Sequence, residues 1–243
     1  MIAMPIRIVR TPNDPANMIR VEHFDSQRDS RARPQGNYET DASGRITVRP
    51  SAARSIEPQE RQFMIGLDLA QSNDWTALAV VERLKTGYSV PMLTRTRGAP
   101  YPQIVGRVAD LLETPPLKGQ AELVIDATGV GRPVLDLFRA SGLDPRAITI
   151  TAGQKPAGSL RHARVPKRDL INVLLLALQA GTLTIAQDQP FADVLARELA
   201  ELRVKITASG YDRYEARDGE HDDLVLAVAM AVWMLEKSPS RLR

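Results

Sequence analysis

The spacing of short apolar segments in the second part of this chain constrains its fold most. Three such segments follow one another closely from Phe63 onward, with the sequences FMIGLDLA, WTALAVVER and YSVPMLTRT. Only a few residues separate them, which predicts three antiparallel strands that form a meander. Two further apolar segments, AELVIDA and AITIT, then alternate with helix-like patterns. This order predicts an α/β fold in which a mixed central sheet carries helices on both faces.

Five segments in this part have apolar residues at helical spacing. Four of them are YPQIVGRVADLLE, GRPVLDLFRAS, KRDLINVLLLALQAG and FADVLARELAEL, and the fifth is the almost wholly apolar segment after His221. Between the last two, RVKITASGYDRYEA predicts a hairpin with its turn near Ser209 and Gly210.

The first 60 residues differ in composition from the rest. They are rich in polar, charged and turn-forming residues, which predicts a polar, flexible extension. Two short apolar segments, Ile6–Val9 and Ile46–Val48, could each add an edge strand. We therefore expect an extension over residues 1–60, a folded domain over 61–238 and a short tail over 239–243.

Charge and residue types narrow the possible partners and cofactors. The formal net charge is +3 and the sequence pI is about 9.3, which suits an anionic partner such as nucleic acid. The absence of Cys excludes disulfides, thiolate zinc sites and cysteine nucleophiles. With only three His, a metal would be held mainly by carboxylates, which favours Mg²⁺ or Mn²⁺. No apolar stretch reaches the roughly 18 residues of a membrane span, so we expect a soluble protein of the cytoplasm.

Three acidic positions are candidates for catalysis. Asp68 lies near the end of the first apolar segment, Asp126 ends ELVID, and the pair Asp222 and Asp223 opens the last helix. Side chains alternate along a strand, so Asp68 shares a face with Gly66. If the two strands are neighbours and the helix packs across them, all these carboxylates converge at one sheet edge.

Clustered carboxylates repel one another and are stable as anions only with cations between them. Two divalent ions about 3.5–4 Å apart would relieve that repulsion and would also support phosphodiester hydrolysis. Each aspartate alone is more typical of a turn or a helix cap than of a metal site. Their combination in this order predicts that Asp68, Asp126, Asp222 and Asp223 are catalytic and bind metal.

Three motifs around these residues resemble those of a known family. FMIGLDLAQSNDWTALAVVE, ELVIDATGVGRPVLDLF and GEHDDLVLAVAMAVW are similar to the acidic motifs of the large-terminase nuclease domain of tailed bacteriophages, which belongs to the ribonuclease H-like superfamily. The segment VPKRDLINVLLLALQAGTLTIA is similar to the region between the second and third motifs. The resemblance covers roughly Phe63 to Glu236 and implies a ribonuclease H-like mixed sheet whose first three strands are antiparallel.

The resemblance also implies a function. It implies a two-metal endonuclease that cuts concatemeric viral DNA during genome packaging, with double-stranded DNA, a packaging ATPase, a small terminase and a portal as partners in the host cytoplasm. Asp68, Asp126 and one or both of Asp222 and Asp223 would be the ligands, with Asp223 favoured as the direct ligand and Asp222 as its partner or a cap.

A packaging ATPase needs a phosphate-binding loop of the form G-x-x-x-x-G-K-[ST]. The glycine-containing segment DATGVGRPVL lacks its Lys and Ser/Thr, so we expect the motor outside this chain. The chain is then a separately encoded or excised nuclease part, or a protein that cuts DNA without translocating it.

Several further residues are predicted to support the site. The basic segment GQKPAGSLRHARVPKR is predicted to be a loop that contacts DNA phosphates through Lys155, Arg161, Arg164, Lys167 and Arg168. Lys167 also opens a helix from which it could reach the scissile phosphate. His221 could orient a water, act as an outer-shell metal ligand or simply precede the helix. Asp74 could join the cluster, although a role in the turn after the first strand is favoured.

Other functions remain open on this sequence. A Holliday-junction resolvase of the same superfamily would use the same carboxylates on branched DNA. A sugar-kinase or actin-like ATPase begins with a similar GLDLA strand, although it needs a longer, duplicated chain. A DNA-binding or scaffold module without catalysis would keep the acids as vestiges.

Overall fold

The computed structural model describes the secondary structure of residues 6–10, 18–23, 38–40, 46–48, 61–69, 74–186, 189–206, 212–215 and 221–240. In chain order the elements are β1 (Ile6–Arg10), β2 (Met18–His23), β3 (Tyr38–Thr40), β4 (Ile46–Val48), β5 (Gln62–Asp68), β6 (Trp75–Leu84), β7 (Gly87–Arg97), α1 (Tyr101–Glu113), β8 (Ala121–Asp126), α2 (Gly131–Ala140), β9 (Arg146–Thr151), β10 (Ala157–Ser159), β11 (His162–Pro166), α3 (Lys167–Gln179), β12 (Leu183–Ala186), α4 (Ala192–Glu201), β13 (Arg203–Ile206), β14 (Asp212–Glu215) and α5 (Asp223–Lys237). None of the helices in these ranges is long and apolar enough to cross a membrane.

A mixed sheet forms the centre of the fold. Within the described ranges it has ten strands in the order β1-β2-β12-β7-β6-β5-β8-β9-β11-β10. Strands β5, β6 and β7 pair antiparallel, whereas β8 is parallel to β5 and β9 is parallel to β8. The predicted α/β class and the antiparallel meander of the first three strands are therefore confirmed.

Helices cover both faces of this sheet. Side chains of α3, α4 and α5 form one apolar core with Met64, and side chains of α1 and α2 form another with Ile65 and Leu67. Consecutive residues of β5 thus point to opposite cores, as the period of a strand requires. Since both faces are covered, residues 63–67 in the middle of β5 are all buried and consist of apolar residues and one glycine.

Helix α5 approaches the sheet most closely at Gly66 of β5. All twelve residues from Leu224 to Leu235 are buried, so this helix lies inside the protein rather than on its surface. A Cβ atom at Gly66 would lie 1.9 Å from the carbonyl oxygen of Ala227. Glycine is therefore required where the helix backbone rests on the strand. The contact lies two residues before Asp68, and it fixes the height of α5 above the acidic end of the strand.

The N-terminal 60 residues contribute strands at the other end of the sheet. Strand β1, which contains the apolar segment Ile6–Val9, pairs with β2, and β2 pairs with β12. Strand β4, the segment Ile46–Val48, instead pairs with β3 in a separate two-stranded sheet. The other residues of 1–60 lie outside the described ranges, so the flexible extension and the boundaries at 61–238 and 239–243 stay predictions.

The prediction of a loop over the basic segment 153–168 was wrong. Residues 157–159 and 162–166 form β10 and β11, and β11 continues the parallel part of the sheet beside β9. Ala163 and Val165 are buried, while His162 and Arg164 are exposed. A strand that buries one face needs only alternate apolar residues, and the charged residues between them concealed this short pattern. The predicted hairpin of β13 and β14 is confirmed, and its turn lies outside the described residues.

Candidate metal centre

Asp68 and Asp126 lie side by side at the carboxyl ends of two parallel strands. Strands β5 and β8 are in register, with Gly66 opposite Val124 and Leu67 opposite Ile125, so the two aspartates occupy the next position. Met64 and Val124 belong to the core under α5, which places both aspartates on the α5 face. Asp126 is buried, and its Oδ1 accepts the backbone N–H of Thr128 at 2.7 Å.

The start of α5 brings two more carboxylates to this edge. Asp222 occupies the N-cap position and Asp223 is the first helical residue. The Nζ of Lys167 lies 2.5 Å from Oδ2 of Asp222, and Nη2 of Arg95 donates to Oδ2 of Asp223 at 2.8 Å. Each aspartate of the pair therefore has its own cationic partner from a different element.

The pKa of Asp68 is affected by all three of the other aspartates. Burial raises the pKa of Asp68 well above its usual value, and the negative charges of Asp126, Asp223 and Asp222 raise it further, while Lys167 lowers it. Burial likewise raises the pKa of Asp126, against the hydrogen bonds from Thr128. The structure thus brings together the four aspartates that the sequence singled out.

His221 and Asp74 join the outer side of this cluster. The Nδ1 atom of His221 lies 3.3 Å from Oδ1 of Asp74 and 3.7 Å from Oδ2 of Asp223. One ligand atom from each of these three residues falls within 4.8 Å of the others, so they could hold one cation together. Both His221 and Asp74 are exposed, which leaves this part of the cluster open to solvent.

Two buried charged residues of the centre, Arg95 and Glu198, were not predicted. The side chain of Arg95 is 10% exposed and its Nη1 lies 3.5 Å from Oε1 of Glu198. The guanidinium also lies over the Trp75 ring, 4.6 Å from its centroid. Glu198 is 6% exposed. Burying a charge is costly unless it is paired. The contact between Arg95 and Glu198 provides that pairing, so both residues are part of the centre rather than of the protein surface.

The sequence carries a weak signal for both residues. Arg95 lies two positions after the buried Leu93 in a strand, so it falls on the inward face. Glu198 lies three positions after Leu195 on the apolar stripe of its helix. A charged residue at an inward position indicates a buried partner, and here the partners come from distant segments.

The five predicted DNA-binding residues do not form one group. Lys167 belongs to the acidic cluster. Arg161 pairs with Asp144 at 2.6 Å beside the amino end of β11, and so it lies at the opposite sheet edge from the cluster. Arg168 pairs with Asp169 at 3.2 Å.

Lys155 and Arg164 remain the best placed of the five to meet an anion. Both are exposed. Within the part of the chain that the structure describes, neither side chain has an ion-pair partner. Lys155 follows the carboxyl end of β9, the edge where the acids gather.

A comparison with known proteins decides the family. Residues 65–235, well over half of the chain, match the model of the terminase RNaseH-like domain. The chain belongs to this family. The resemblance found in the three acidic motifs is thereby confirmed.

Relatives of this terminase domain come from phages of thermophiles. The large terminase subunits of Thermus phage G20c and Thermus virus P23-45 are each 30% identical to it over 169 residues, which is 70% of this chain and 31% of the relative. The chain thus spans about a third of the length of these curated relatives.

Solved structures agree with the fold. The large terminase nuclease from thermophilic phage G20c superposes with a TM-score of 0.54 at 27% identity, over 70% of this chain and 81% of that chain. Structures of the same nuclease with bound magnesium and with bound cobalt both give a TM-score of 0.56 at 27% identity. The magnesium structure covers 81% of this chain and 89% of that chain, and the cobalt structure covers 71% and 81%.

The residues of this terminase domain fit divalent cations. Four carboxylates converge, and the lysine and arginine side chains that contact them among the described residues are Lys167 and Arg95, the second of which is shared with Glu198. Negative charge is therefore in excess, which is consistent with the raised pKa of Asp68. Carboxylate oxygens are the ligands that hard ions such as Mg²⁺ prefer.

The metal-free terminase domain is expected to lose stability as pH rises. Burial raises the pKa of Glu198 to about 7, and the pKa values of Asp68, Asp126 and Asp223 are raised as well. A carboxyl with a raised pKa binds its proton more tightly in the folded state. Its stabilising contribution is complete below the unfolded pKa of about 4 and is lost as pH rises through the folded value.

We expect the free energy of unfolding to fall by on the order of 2 kcal/mol between pH 5 and pH 8 in EDTA. Urea denaturation at the two pH values measures this difference. Added Mg²⁺ should reduce the loss, because cations favour the ionised carboxylates. An increase of stability with pH in EDTA would contradict the prediction.

Proposed function

We propose that this terminase domain is a metal-dependent endodeoxyribonuclease that cuts concatemeric viral DNA during genome packaging. The observation that carries the proposal is the meeting of Asp68 and Asp126, at the ends of β5 and β8, with Asp222 and Asp223 at the start of α5. The related nuclease with bound magnesium supports it further.

The four aspartates would hold two Mg²⁺ or Mn²⁺ ions. We infer that Asp68, Asp126 and Asp223 are direct ligands and that Asp222 supports them through its contact with Lys167. When bound, the ions supply Lewis-acid chemistry for attack of water on a phosphodiester and for release of the leaving oxygen.

Residues of the chain itself would position the reactants. The ammonium of Lys167 contacts Asp222 and has three N–H donors, so it would hold a phosphate oxygen of the scissile group while it keeps that contact. His221 lies within hydrogen-bonding reach of Asp74 and would orient a water at the open side of the cluster. In this scheme both residues place substrate or water against the carboxylates.

Partners of the domain follow from the same proposal. Double-stranded DNA is the substrate, and a packaging ATPase, a small terminase and a portal are the proposed protein partners in the host cytoplasm. Lys155, Arg161, Arg164, Lys167 and Arg168 are proposed to contact DNA. Lys155 and Arg164 should contribute most, because neither charge is shared with an acid among the described residues.

Removing Lys155 or Arg164 is expected to weaken DNA binding without sequence preference. Each phosphate contact releases counterions from DNA, so log affinity falls as log salt concentration rises. Lys155→Ala and Arg164→Ala should each reduce the magnitude of this slope by about 1. Lys118→Ala is the matched control, because Lys118 is exposed but pairs with Glu113 at 2.7 Å near the opposite edge of the sheet. Fluorescence anisotropy with a short duplex in Ca²⁺ measures the slope. Equal slopes in all three variants would contradict the predicted contact.

Cleavage assays test the function directly. Supercoiled plasmid, linear duplex and a four-way junction are incubated with the domain in Mg²⁺, in Mn²⁺ and in EDTA. We expect cleavage of plasmid and linear duplex with either metal and none in EDTA. A strong preference for the four-way junction would instead indicate a resolvase, and binding without cleavage under all metal conditions would indicate a non-catalytic module.

A further inference from the structure

The first turn of α5 is capped by a residue from another helix. Asp222 occupies the N-cap position, yet its side chain makes no capping hydrogen bond. Instead, Oε2 of Glu198 in α4 accepts the N–H groups of Leu224 at 3.0 Å and Val225 at 3.1 Å. These are the second and third residues of the helix, the donors that an aspartate at the N-cap normally binds. Glu198 therefore performs the task that would otherwise engage Asp222.

Arg95 connects this cap to Asp223. Its Nη2 donates to Oδ2 of Asp223, while its Nη1 faces Oε1 of Glu198. The ring of Trp75 lies against the guanidinium on one side. A planar guanidinium can hold two carboxylates in fixed relative positions, which a lysine ammonium does not. Arg95 thus joins β7, α4 and α5 at the acidic centre.

We propose that Glu198 and Arg95 are positioning residues of the metal centre. Glu198 caps α5 and so releases the carboxylate of Asp222 from the helix, and Arg95 fixes Asp223 through one oxygen. The inference rests on the proposed function in one respect, namely that Asp222 and Asp223 belong to the site that binds the cations.

Metal affinity is the property that these residues should control. Groups that orient metal ligands typically change metal affinity by about 10–100-fold when removed. Without Glu198, the N–H groups of Leu224 and Val225 lose their acceptor. We expect the side chain of Asp222 to accept them instead and so to turn away from the acidic cluster. Without Arg95, Asp223 is free to adopt other rotamers and Glu198 loses its charge partner.

Binding of Mn²⁺ to the DNA-free domain, measured by isothermal titration calorimetry, tests this. We expect Glu198→Ala and Arg95→Gln each to weaken binding by about tenfold or more. Glu198→Gln keeps a carbonyl acceptor for both N–H groups and should stay within about threefold of the wild type. Rescue by glutamine separates capping from simple loss of charge.

Glu236→Ala is the matched control, because it removes the hydrogen bond from Tyr88 at the other end of α5. It should lower the melting temperature and leave Mn²⁺ affinity unchanged. The proposal is overturned if Glu198→Ala binds Mn²⁺ like the wild type, if Glu198→Gln is as weak as Glu198→Ala, or if Glu236→Ala weakens binding equally. Should Glu198→Ala not fold, wild-type affinity in Arg95→Gln would overturn it.

The outcome is separable from that of the nuclease proposal. If the domain binds Mn²⁺ but cleaves no DNA, the nuclease proposal is wrong. The effect of Glu198→Ala on Mn²⁺ binding then still tests the positioning role. In a domain that cleaves, Glu198→Ala should lower kcat and raise the Mn²⁺ requirement with KM for DNA unchanged. Cleavage with unaltered Mn²⁺ dependence in that variant would overturn the positioning role alone.

Discussion

Replacing Asp68 by asparagine is expected to reduce DNA cleavage about a thousandfold or more, which corresponds to about 4 kcal/mol of lost transition-state stabilisation. Asp68 lies where Asp126, Asp222 and Asp223 meet, and its charge interacts with all three. Asparagine has nearly the same size but carries no charge and would be a weaker ligand for a divalent cation. Single-turnover cleavage of a plasmid in Mn²⁺ measures the rate.

The stability of the same variant separates a chemical from a structural effect. Burial and neighbouring negative charges raise the pKa of Asp68, so its ionised form is repelled in the metal-free protein. Asp68→Asn removes that repulsion and should be at least as stable in EDTA as the wild type. Asp136→Asn, an exposed aspartate paired with Arg139 on α2, should leave the cleavage rate unchanged.

Asp126→Asn should lose activity to a similar extent. Its asparagine oxygen can still accept the Thr128 N–H group, so the local turn is retained. Cleavage by Asp68→Asn or Asp126→Asn at more than a tenth of the wild-type rate would remove that residue from the proposed site.

Substituting alanine for Gly66 is expected to lower the free energy of unfolding by about 3–5 kcal/mol. The added Cβ would lie 1.9 Å from the Ala227 carbonyl oxygen and 3.3 Å from the Cβ of Ala231. Backbone atoms of a buried helix cannot move aside as the end of a flexible side chain does. Helix α5 must therefore shift away from β5, and Asp222 and Asp223 shift with it.

Gly106→Ala provides the control for this substitution. Gly106 lies inside α1, and nothing lies within 4 Å of a Cβ added there. Because alanine favours a helix over glycine, this variant should be unchanged or more stable by up to about 1 kcal/mol. Urea denaturation followed by far-ultraviolet circular dichroism compares the two. A Gly66→Ala variant as stable as the wild type would contradict the close approach of α5 to the sheet.

Sequence patterns within one segment were sufficient to predict features that depend on that segment alone. A carboxylate after several apolar residues indicates the end of a buried strand, so Asp68 and Asp126 could be assigned to strand ends from FMIGLDLA and AELVIDA. The same holds for the last helix, whose apolar character on every side requires burial and whose first turn carries the charges. The order of strands and helices then limited the topology to a mixed sheet.

Contacts between separate segments could not be predicted from the pattern of any one segment. The basic segment 153–168 was predicted as a loop, because the alternating buried residues Ala163 and Val165 of β11 indicate a strand only once β9 lies beside them. Strands β2 and β12 also pair, and they lie much farther apart in the sequence than β9 and β11 do. Strand pairing depends on register and on the edges that the rest of the sheet leaves open.

The sequence by itself determined the fold class, the strand ends that carry Asp68 and Asp126, and the buried helix that begins at Asp223. Only the tertiary structure decided how the charges are compensated: Lys167 meets Asp222 across 55 positions of sequence, and Arg95 meets Asp223 across 128. It also decided that Glu198, rather than Asp222, caps α5. The physical reason is that burial and periodicity are properties of one segment, whereas the partner of a buried charge is set by which segments the packed sheet brings within hydrogen-bonding distance.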